Sequence, residues 1–250
     1  MRGFPSAFID GARSGILDFL FPPLCLGCRE HVGTSGSLCA GCWSKISFID
    51  GPCCSSCGLP FETPVFEGTR CGACHANPPD FDSARAVMRY DEASKGPILA
   101  FKHADRLEWV PVFARWLART GAAYIADCNL IVPVPLHPGR LWSRRYNQAA
   151  ELGRALSGIA HKPFRPEVLV RARRTVSQGE MPSASARRRN VEGAFRVPAA
   201  AQPMVSGAVV LLVDDVLTTG ATVNACARAL KRAGAAKLLV LALARVVRSS

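Results

Sequence analysis

The run of residues 209–222 constrains the fold of this chain more than any other feature of its sequence. Residues 209–213 are five consecutive apolar residues, with the length and composition of a strand buried on both faces of a parallel sheet. Asp214 and Asp215 follow where this strand should end, and a helical stretch is predicted at residues 223–233. In an open α/β sheet the carboxyl ends of the strands form the ligand site. The run therefore predicts a binding pocket beside the two acids.

The turn between the acids and the helix has the chemistry of a phosphate site. Its residues are Thr218, Thr219, Gly220, Ala221 and Thr222. Hydroxyl groups and free N–H groups before a helix N-terminus attract phosphate, and the helix dipole adds to that attraction. The acids would repel a bare phosphate but suit sugar hydroxyls or a metal ion, so the run predicts a sugar-phosphate pocket. The alternatives are a core strand followed by a capped helix, or a receiver-type acidic pocket.

The same run resembles the phosphoribosyl diphosphate (PRPP) signature of type I phosphoribosyltransferases, in which an apolar strand, two acids and a Thr/Gly-rich loop follow one another. The resemblance implies that the catalytic pair Asp214 and Asp215 accepts hydrogen bonds from the ribose 2- and 3-hydroxyls. It also implies that the loop from Thr218 to Thr222 wraps the 5-phosphate with backbone N–H and hydroxyl donors.

Nine of the eleven cysteines lie between residues 25 and 74, and eight of them form four C-x-x-C knuckles. The knuckle residues are Cys25, Cys28, Cys39, Cys42, Cys54, Cys57, Cys71 and Cys74. Two knuckles complete one tetrahedral Cys₄ zinc site, so the spacing predicts two structural zinc ions with every coordination position filled. Sequential pairing gives two zinc ribbons, but the spacing leaves crossed pairing open. Cys53 is the odd thiol and could replace Cys54.

Two other interpretations of the knuckles are weaker. A disulfide framework would suit an exported protein, but the sequence shows no export signal and cytosolic thiols stay reduced. The segment from Cys71 to His75 matches the C-x-x-C-H pattern of haem attachment, which would leave the other three knuckles unexplained. Cys128 and Cys226 lie far from the knuckles and are predicted to be small core residues.

The pattern beyond the knuckles predicts three regions. Residues 1–24 contain a short amphipathic helix at residues 6–21, residues 25–78 form the zinc-ribbon module, and residues 79–250 form an α/β domain. No apolar run is long enough to span a membrane, and we expect a cytoplasmic protein. The strands are predicted at residues 84–90, 130–134, 209–213 and 237–243, and helices at 97–103, 108–120, 139–157 and 223–233. Alternation of this kind indicates a mostly parallel, Rossmann-like sheet.

Charge is unevenly distributed along the chain. Residues 1–80 hold 5 basic and 7 acidic side chains, whereas residues 81–250 hold 26 basic and 12 acidic ones. A basic field of this size attracts anions and raises their association rates, and both diphosphates and nucleic acid would experience it. The aromatic residues of the predicted helix at 108–120 share one face and are predicted to be core rather than base-stacking groups.

Five further motifs follow one another along the α/β region: residues 132–137 (VPVPLH), 144–148 (RRYNQ), 174–178 (RTVSQ), 187–190 (RRRN) and 193–195 (GAF). They resemble successive motifs of the ComF-type competence protein family, which pairs a cysteine-rich zinc module with a type I phosphoribosyltransferase domain. The family more often has Gly-Phe where this chain has Arg145-Tyr146, which restricts the backbone there.

By position, the resemblance implies that His137, Arg140 and Arg144 hold diphosphate oxygens. Residues 171–190 correspond to a mobile catalytic hood that closes over PRPP, although a solvated basic loop would have the same composition. Lys102 falls in a segment that the family shares, and it is predicted to be a helix lysine extending into solvent rather than a phosphate ligand.

The implied function is PRPP binding with Mg²⁺, or Mg²⁺-assisted phosphoribosyl transfer, in natural competence. Single-stranded DNA and other competence proteins are the implied partners, because the family is associated with uptake of transforming DNA. The alternative is a phosphoribosyltransferase of nucleobase or nucleotide salvage with no DNA role. The sequence does not name the acceptor.

Overall fold

The computed structural model describes residues 22–103, 106–136, 146–173 and 189–247. The predicted helix at residues 6–21 lies outside these ranges, as do His137, Arg140, Arg144 and residues 174–188 of the predicted hood. The chain divides into two compact units, Met1–Ile46 and Ser47–Ser250. This division falls between residues 46 and 47. The boundary between residues 78 and 79, where the zinc-ribbon module is predicted to meet the α/β domain, stays a prediction.

The described part of the first unit is organised by turns around the first two knuckles. An isolated antiparallel bridge joins Leu24 to His31, and the short helix α1 (Ala40–Trp43) follows. Cys39 caps α1, because its Sγ accepts a hydrogen bond from the N–H of Cys42 at 3.4 Å. This small amount of regular structure is typical of a unit whose fold depends on a metal ion.

A four-stranded parallel sheet forms the centre of the second unit. Its spatial order is β1 (Ser83–Arg89), β6 (Lys237–Arg245), β5 (Val209–Leu217) and β2 (Leu130–Pro133). Seven of the nine residues of β6 are buried, which is the pattern of a strand covered on both faces. The predicted α/β fold with a mostly parallel sheet is confirmed.

Strand β5 is longer than its apolar run predicts. The prediction ended the strand at residue 213, but β5 continues through Asp214 and Asp215 to Leu217. It continues because β6 still pairs with it there: Asp214 is opposite Ala242 and Leu217 is opposite Arg245. The acids therefore lie on the last part of a paired strand rather than in a free loop.

Helices cover the sheet and join its strands. They are α2 (Gly72–Ala76), α3 (Glu92–His103), α4 (Val110–Thr120), α5 (Ala122–Asp127), α6 (Gln148–Ala160), α7 (Gln202–Val205) and α8 (Ala221–Arg232). Trp109, Phe113 and Leu117 are buried, which confirms that this aromatic face is core. Among the helices in the described ranges, none combines the length and apolar composition that a membrane crossing requires.

Helix α6 begins later than the helix predicted at residues 139–157. Asn147 caps it, since its Oδ1 accepts a hydrogen bond from the N–H of Ala149 at 3.1 Å, and the helix then runs to Ala160. An Asn side chain at this position satisfies a free N–H of the first turn and so fixes the start. It ends where His161 adopts a left-handed conformation with φ of 52°.

The second cysteine segment packs against strand β1. The N–H of Ala84 donates to the carbonyl of Ser56 at 2.8 Å, and the N–H of Ile49 donates to the carbonyl of Val87 at 2.9 Å. Gly58 lies so close to the strand that a Cβ there would be 2.5 Å from the carbonyl oxygen of Ala84. These contacts explain why the second pair of knuckles belongs to the compact unit of the sheet.

Candidate functional site

The acid pair at the end of β5 is fixed by its own backbone. Oδ1 of Asp214 accepts a hydrogen bond from the N–H of Asp215 at 2.9 Å, and Oδ1 of Asp215 accepts one from the N–H of Val216 at 2.6 Å. The other oxygen of each carboxylate, Oδ2, takes no part in these two bonds. This geometry suits acceptance of sugar hydroxyl donors.

Lys102 joins the acid pair from helix α3. Its Nζ lies 2.9 Å from Oδ2 of Asp215, and both side chains are only 17% exposed. Two bonds to the end of α3 hold it in place: the hydroxyl of Tyr146 donates to the carbonyl of Phe101, and Nε2 of Gln148 donates to the carbonyl of Lys102. The prediction that Lys102 extends into solvent is thus wrong, because a half-buried carboxylate partner is available to it.

Asp214 and Asp215 differ in their electrostatic environment. Burial, and then the adjacent charge of Asp215, raises the pKa of Asp214 to about 8. Burial, and then the charge of Asp214, also raises the pKa of the Cys226 thiol well above its ordinary value. Cys128 and Cys226 are both buried, so their predicted core positions are confirmed. An acid that titrates near neutral pH is characteristic of functional sites.

The loop between β5 and α8 has the shape of a phosphate cradle. Gly220 has φ of 77°, a left-handed conformation that favours glycine, and α8 begins at the next residue, Ala221. The hydroxyl oxygen of Thr219 is buried without a hydrogen-bond partner among the described residues. A bound anion at this helix N-terminus would find that hydroxyl and the free N–H groups of the first turn. Thr218 precedes Thr219 in the loop, and Thr222 lies in the first turn of α8.

Of the residues predicted to bind PRPP, the structure brings together Asp214, Asp215 and the loop from Thr218 to Thr222 on one strand and turn. The predicted diphosphate loop with His137, Arg140 and Arg144 lies outside the described residues. The described residues on its two sides are joined, because Nδ2 of Asn147 donates to the carbonyl of Val134 at 3.0 Å.

The two ends of the predicted hood are joined at their base. Strands β3 (Val170–Arg171) and β4 (Phe195–Arg196) pair antiparallel. Nη2 of Arg173 donates to the carbonyls of Asn190 and Glu192 at 3.2 and 2.8 Å. The base of the segment is therefore anchored in the second unit.

The eight knuckle cysteines form two separate four-thiol clusters. Within each cluster the sulfur atoms lie within 4.8 Å of one another. Pairing is sequential, so Cys25, Cys28, Cys39 and Cys42 form the first cluster, and Cys54, Cys57, Cys71 and Cys74 form the second cluster. Sulfur separations of 3.5 and 3.8 Å fit four thiolates around one zinc ion, for which Zn–S bonds of about 2.3 Å give an edge of about 3.8 Å.

Backbone N–H groups in both clusters donate hydrogen bonds to cysteine sulfur atoms. In the first cluster the N–H of Cys39 donates to Sγ of Cys25 at 3.2 Å. In the second cluster the N–H groups of Cys57 and Cys71 donate to Sγ of Cys54 at 3.5 and 3.3 Å. Such N–H groups stabilise the charged form of a metal-bound thiolate. Cys53 and His75 are outside the clusters.

Comparison with known families finds two domains in the chain. Residues 16–75 match the double zinc ribbon domain, and residues 149–248 match the phosphoribosyl transferase domain. The chain therefore carries a double zinc ribbon whose two four-cysteine clusters support two zinc ions, followed by a phosphoribosyltransferase-type domain.

Two solved structures resemble the chain only loosely. Glutamine PRPP amidotransferase from B. subtilis has a TM-score of 0.37 at 18% identity, covering 53% of this chain and 25% of that one. Hypoxanthine phosphoribosyltransferase from Trypanosoma cruzi has a TM-score of 0.34 at 18% identity, covering 57% of this chain and 76% of that one.

Relatives match almost the whole chain. Competence protein F of Haemophilus influenzae is 32% identical over 88% of this chain and 96% of its own length. DNA utilization protein YhgH of Escherichia coli K12 is 33% identical over 90% of this chain and 98% of its own length. Competence protein ComFC of Bacillus subtilis is 26% identical over 80% of each. The resemblance read from the sequence motifs is thereby confirmed, and the chain belongs to the ComF-type family of competence protein F and protein YhgH.

Proposed function

We propose that this protein binds PRPP with Mg²⁺ at the carboxyl end of β5. The observation that carries the proposal is the succession of a fixed acid pair, a left-handed Gly220 and a buried, unpartnered Thr219 hydroxyl at a helix N-terminus. The family membership supports the same ligand, because the matched domain is a phosphoribosyl transferase domain. A sugar that carries hydroxyls next to a phosphate is the ligand that these groups complement.

Each group in the pocket has a separate task in this proposal. Asp214 and Asp215 accept hydrogen bonds from the ribose hydroxyls, and residues 218–222 surround the 5-phosphate. Lys102 pairs with Asp215, and its ammonium would bind the diphosphate once ribose hydroxyls bind the acid. His137, Arg140 and Arg144 are proposed as further diphosphate ligands on the strength of the sequence alone.

The pocket also fits a magnesium ion that arrives with PRPP. Mg²⁺ prefers hard oxygen ligands and is commonly held by substrate phosphates together with one or two carboxylates. The acid pair of Asp214 and Asp215 supplies the nearest such oxygens on the described strand. When bound, Mg²⁺ neutralises charge on the diphosphate. The residues of this chain orient the ribose and exclude alternative positions of the phosphate.

We further propose phosphoribosyl transfer as the reaction. A nucleophile would form a bond to C1 of the ribose while the C1–O bond to diphosphate breaks, and the diphosphate leaves with the bonding electrons. The protein would stabilise the departing charge with Lys102 and the basic side chains predicted around it. The acceptor is unassigned, and salvage of a free base is the alternative to a role in DNA handling.

The first experiment measures PRPP affinity by titration calorimetry with Mg²⁺. We expect the double variant Asp214→Asn/Asp215→Asn to raise the Kd at least tenfold, which corresponds to about 1.4 kcal/mol. Asp127→Asn is the matched control, since Asp127 forms an exposed ion pair with Lys237 elsewhere in the same unit. A double variant that binds as tightly as the wild type would show that the pocket is misassigned.

We also propose that the protein handles DNA, together with other proteins of competence. The names of the relatives, competence protein F and DNA utilization protein YhgH, support this role, as does the excess of basic over acidic side chains in residues 81–250. Single-stranded DNA is the proposed form. The logarithm of its association constant should fall linearly with the logarithm of the salt concentration, because phosphate contacts release counterions.

One screen separates the DNA role from salvage. Diphosphate release from PRPP is measured with nucleobases, simple amines or single-stranded DNA as acceptor, with the double aspartate variant as blank. Turnover with a nucleobase and no measurable DNA binding would favour salvage. Salt-dependent DNA binding with no nucleobase turnover would favour DNA handling.

A further inference from the structure

Arg245 makes two contacts with the second cluster. It is the last residue of β6, and its Nη1 donates to the carbonyl of Cys57 at 2.6 Å. Its Nη2 donates to Sγ of the same cysteine at 3.3 Å. A guanidinium that donates to a zinc-bound thiolate offsets part of the negative charge of the tetrathiolate site.

The backbone of the same residue is next to the strand end that leads into the phosphate loop. Arg245 is opposite Leu217 in the register of β6 with β5, and the N–H of Val246 donates to the carbonyl of Leu217 at 3.0 Å. Leu217 immediately precedes Thr218, the first residue of that loop. Arg245 thus contacts a predicted zinc ligand with its side chain. Its backbone lies opposite Leu217, the residue just before the phosphate loop.

A second connection reaches the other end of the loop. The N–H of Asp80 donates to Oδ1 of Asn224 at 2.6 Å, and a carboxylate oxygen of Asp80 lies 2.6 Å from Nη1 of Arg228. Asn224 and Arg228 lie on α8, which begins directly after Gly220. Asp80 follows the short connection from α2, the helix that carries Cys74.

Between these two connections lies a cavity of about 340 Å³. Its walls include Cys57, Cys74, Leu217, Thr219, Gly220 and Arg245. Side chains do not fill the space between the second cluster and the loop, so close packing does not fix the loop from this side. The contacts of Arg245 and Asp80 connect the two sides of this cavity.

We propose that Arg245 is a positioning residue that couples the second zinc centre to the phosphate loop, so that zinc in the second cluster favours PRPP binding. The inference rests on the proposed PRPP site and adds a dependence on one of the two metal ions. Loss of zinc releases Cys57 from the tetrahedral site, so the sulfur and carbonyl that Arg245 contacts are no longer fixed, and the end of β6 and its neighbour Leu217 lose that restraint. By linkage, PRPP must favour zinc retention by the same factor.

The test measures zinc release from each cluster in the intact wild-type protein. The protein is challenged with a chelator that ignores Mg²⁺, with and without saturating PRPP and Mg²⁺, and exposed thiols are alkylated at intervals. Trypsin cleavage after Lys45 separates the peptides of the two clusters for mass spectrometry. We expect PRPP to slow release from the second cluster about five- to tenfold, within the usual range of coupling. Release from the first cluster should not change.

Variants at position 245 then identify the carrier of the coupling. Arg245→Met should remove the protection by PRPP, raise the Kd for PRPP about five- to tenfold, and shift the thiolate-to-cobalt absorption band of the Co²⁺-substituted protein. Arg245→Lys should restore part of each effect, because an ammonium can still reach Cys57. Arg119→Met is the control, since Arg119 is exposed and its ion-pair partner is Asp50.

Each outcome decides one claim. PRPP that binds while leaving release from the second cluster unchanged, or that slows both clusters equally, would overturn the coupling and leave the PRPP site intact. Failure of PRPP to bind the fully zinc-loaded wild type would overturn the proposed function itself. If Arg245→Met does not fold, the wild-type release rates and Arg245→Lys still decide.

Discussion

The two four-cysteine clusters share one ligand pattern but differ in burial. In the first cluster only Cys25 is buried, and Cys28 is exposed. In the second cluster all four cysteines are buried and belong to the same hydrophobic cluster as the strands of the sheet. The same zinc chemistry therefore organises a small unit in one case and forms part of a large core in the other.

This difference changes what each metal ion stabilises. The described contacts of the first cluster are between residues close in sequence, such as the N–H of Cys39 and Sγ of Cys25. The second cluster also contacts residues far along the chain, since Arg245 donates to Cys57. Buried charged groups must be hydrogen-bonded, and Arg245 of β6 supplies such bonds to the second cluster. Removing the second metal ion should therefore destabilise the strands of the sheet as well as the knuckles.

The largest effect is expected from the loss of one ligand in the second cluster. Cys74→Ser should lower the free energy of unfolding of the second unit by about 4 kcal/mol or more, because metal binding is coupled to folding and the site is in the core. Cys28→Ser should change it by less than about 1 kcal/mol. Urea unfolding followed by far-UV circular dichroism measures both, with zinc content determined separately. Equal losses of unfolding free energy in the two variants would show that the two clusters do not differ in what they stabilise.

A smaller effect on stability is expected from substituting either of two glycines that share a backbone conformation. Gly58 in the second unit has φ of 69° and Gly36 in the first has φ of 72°. Either Gly→Ala change costs about 1–2 kcal/mol for the left-handed conformation. At Gly58 the new Cβ would also lie 2.5 Å from the carbonyl oxygen of Ala84, whereas nothing lies within 4 Å at Gly36. We expect Gly58→Ala to cost about 3 kcal/mol in all.

The measurement for this pair is the rate of zinc release from each cluster, together with thermal unfolding. Gly58→Ala should speed release from the second cluster and lower the Tm of the second unit, and Gly36→Ala should leave that unit unchanged. A Gly58→Ala protein with wild-type Tm would mean that the cysteine segment is not held against β1 in solution.

The sequence predicted what depends on neighbours in the chain. The apolar run gave β5 and its loop, and the knuckle spacing gave eight zinc ligands, because each signal lies within a few residues. It could not give the end of β5, which depends on β6 remaining paired as far as Leu217. Nor could it show that the second cluster packs on β1, since those contacts cross between knuckle and strand.

The ion pair of Lys102 with Asp215 was not predicted, for the same reason. A lysine on an amphipathic helix ordinarily extends its charge into water, and its partner Asp215 lies far along the chain. One local signal was available: Lys102 follows the buried Phe101 near the end of α3, where a polar side chain can point towards the strand ends. Only the tertiary structure brings that helix end to β5.

The smallest effect concerns pH and separates the pocket from the first cluster. Burial raises the pKa of Asp214 to about 8, and the ionised form accepts the ribose hydroxyls in the proposed complex. Affinity for PRPP should therefore be low below this pKa and increase as pH rises through it. Between pH 7 and pH 9 the gain should be about tenfold, in a range where phosphate groups with a pKa of about 6 are already ionised.

Two variants make this profile diagnostic. Asp214→Asn should bind weakly and show no rise between pH 7 and pH 9, because it carries no ionisable group at that position. Cys28→Ser should keep the wild-type profile, since the groups that set the pKa of Asp214, among them Asp215 and Lys102, belong to the second unit. If Cys28→Ser flattens or shifts the profile in calorimetric titrations, the first cluster influences the pocket, and the two zinc centres are less separate in function than their burial indicates.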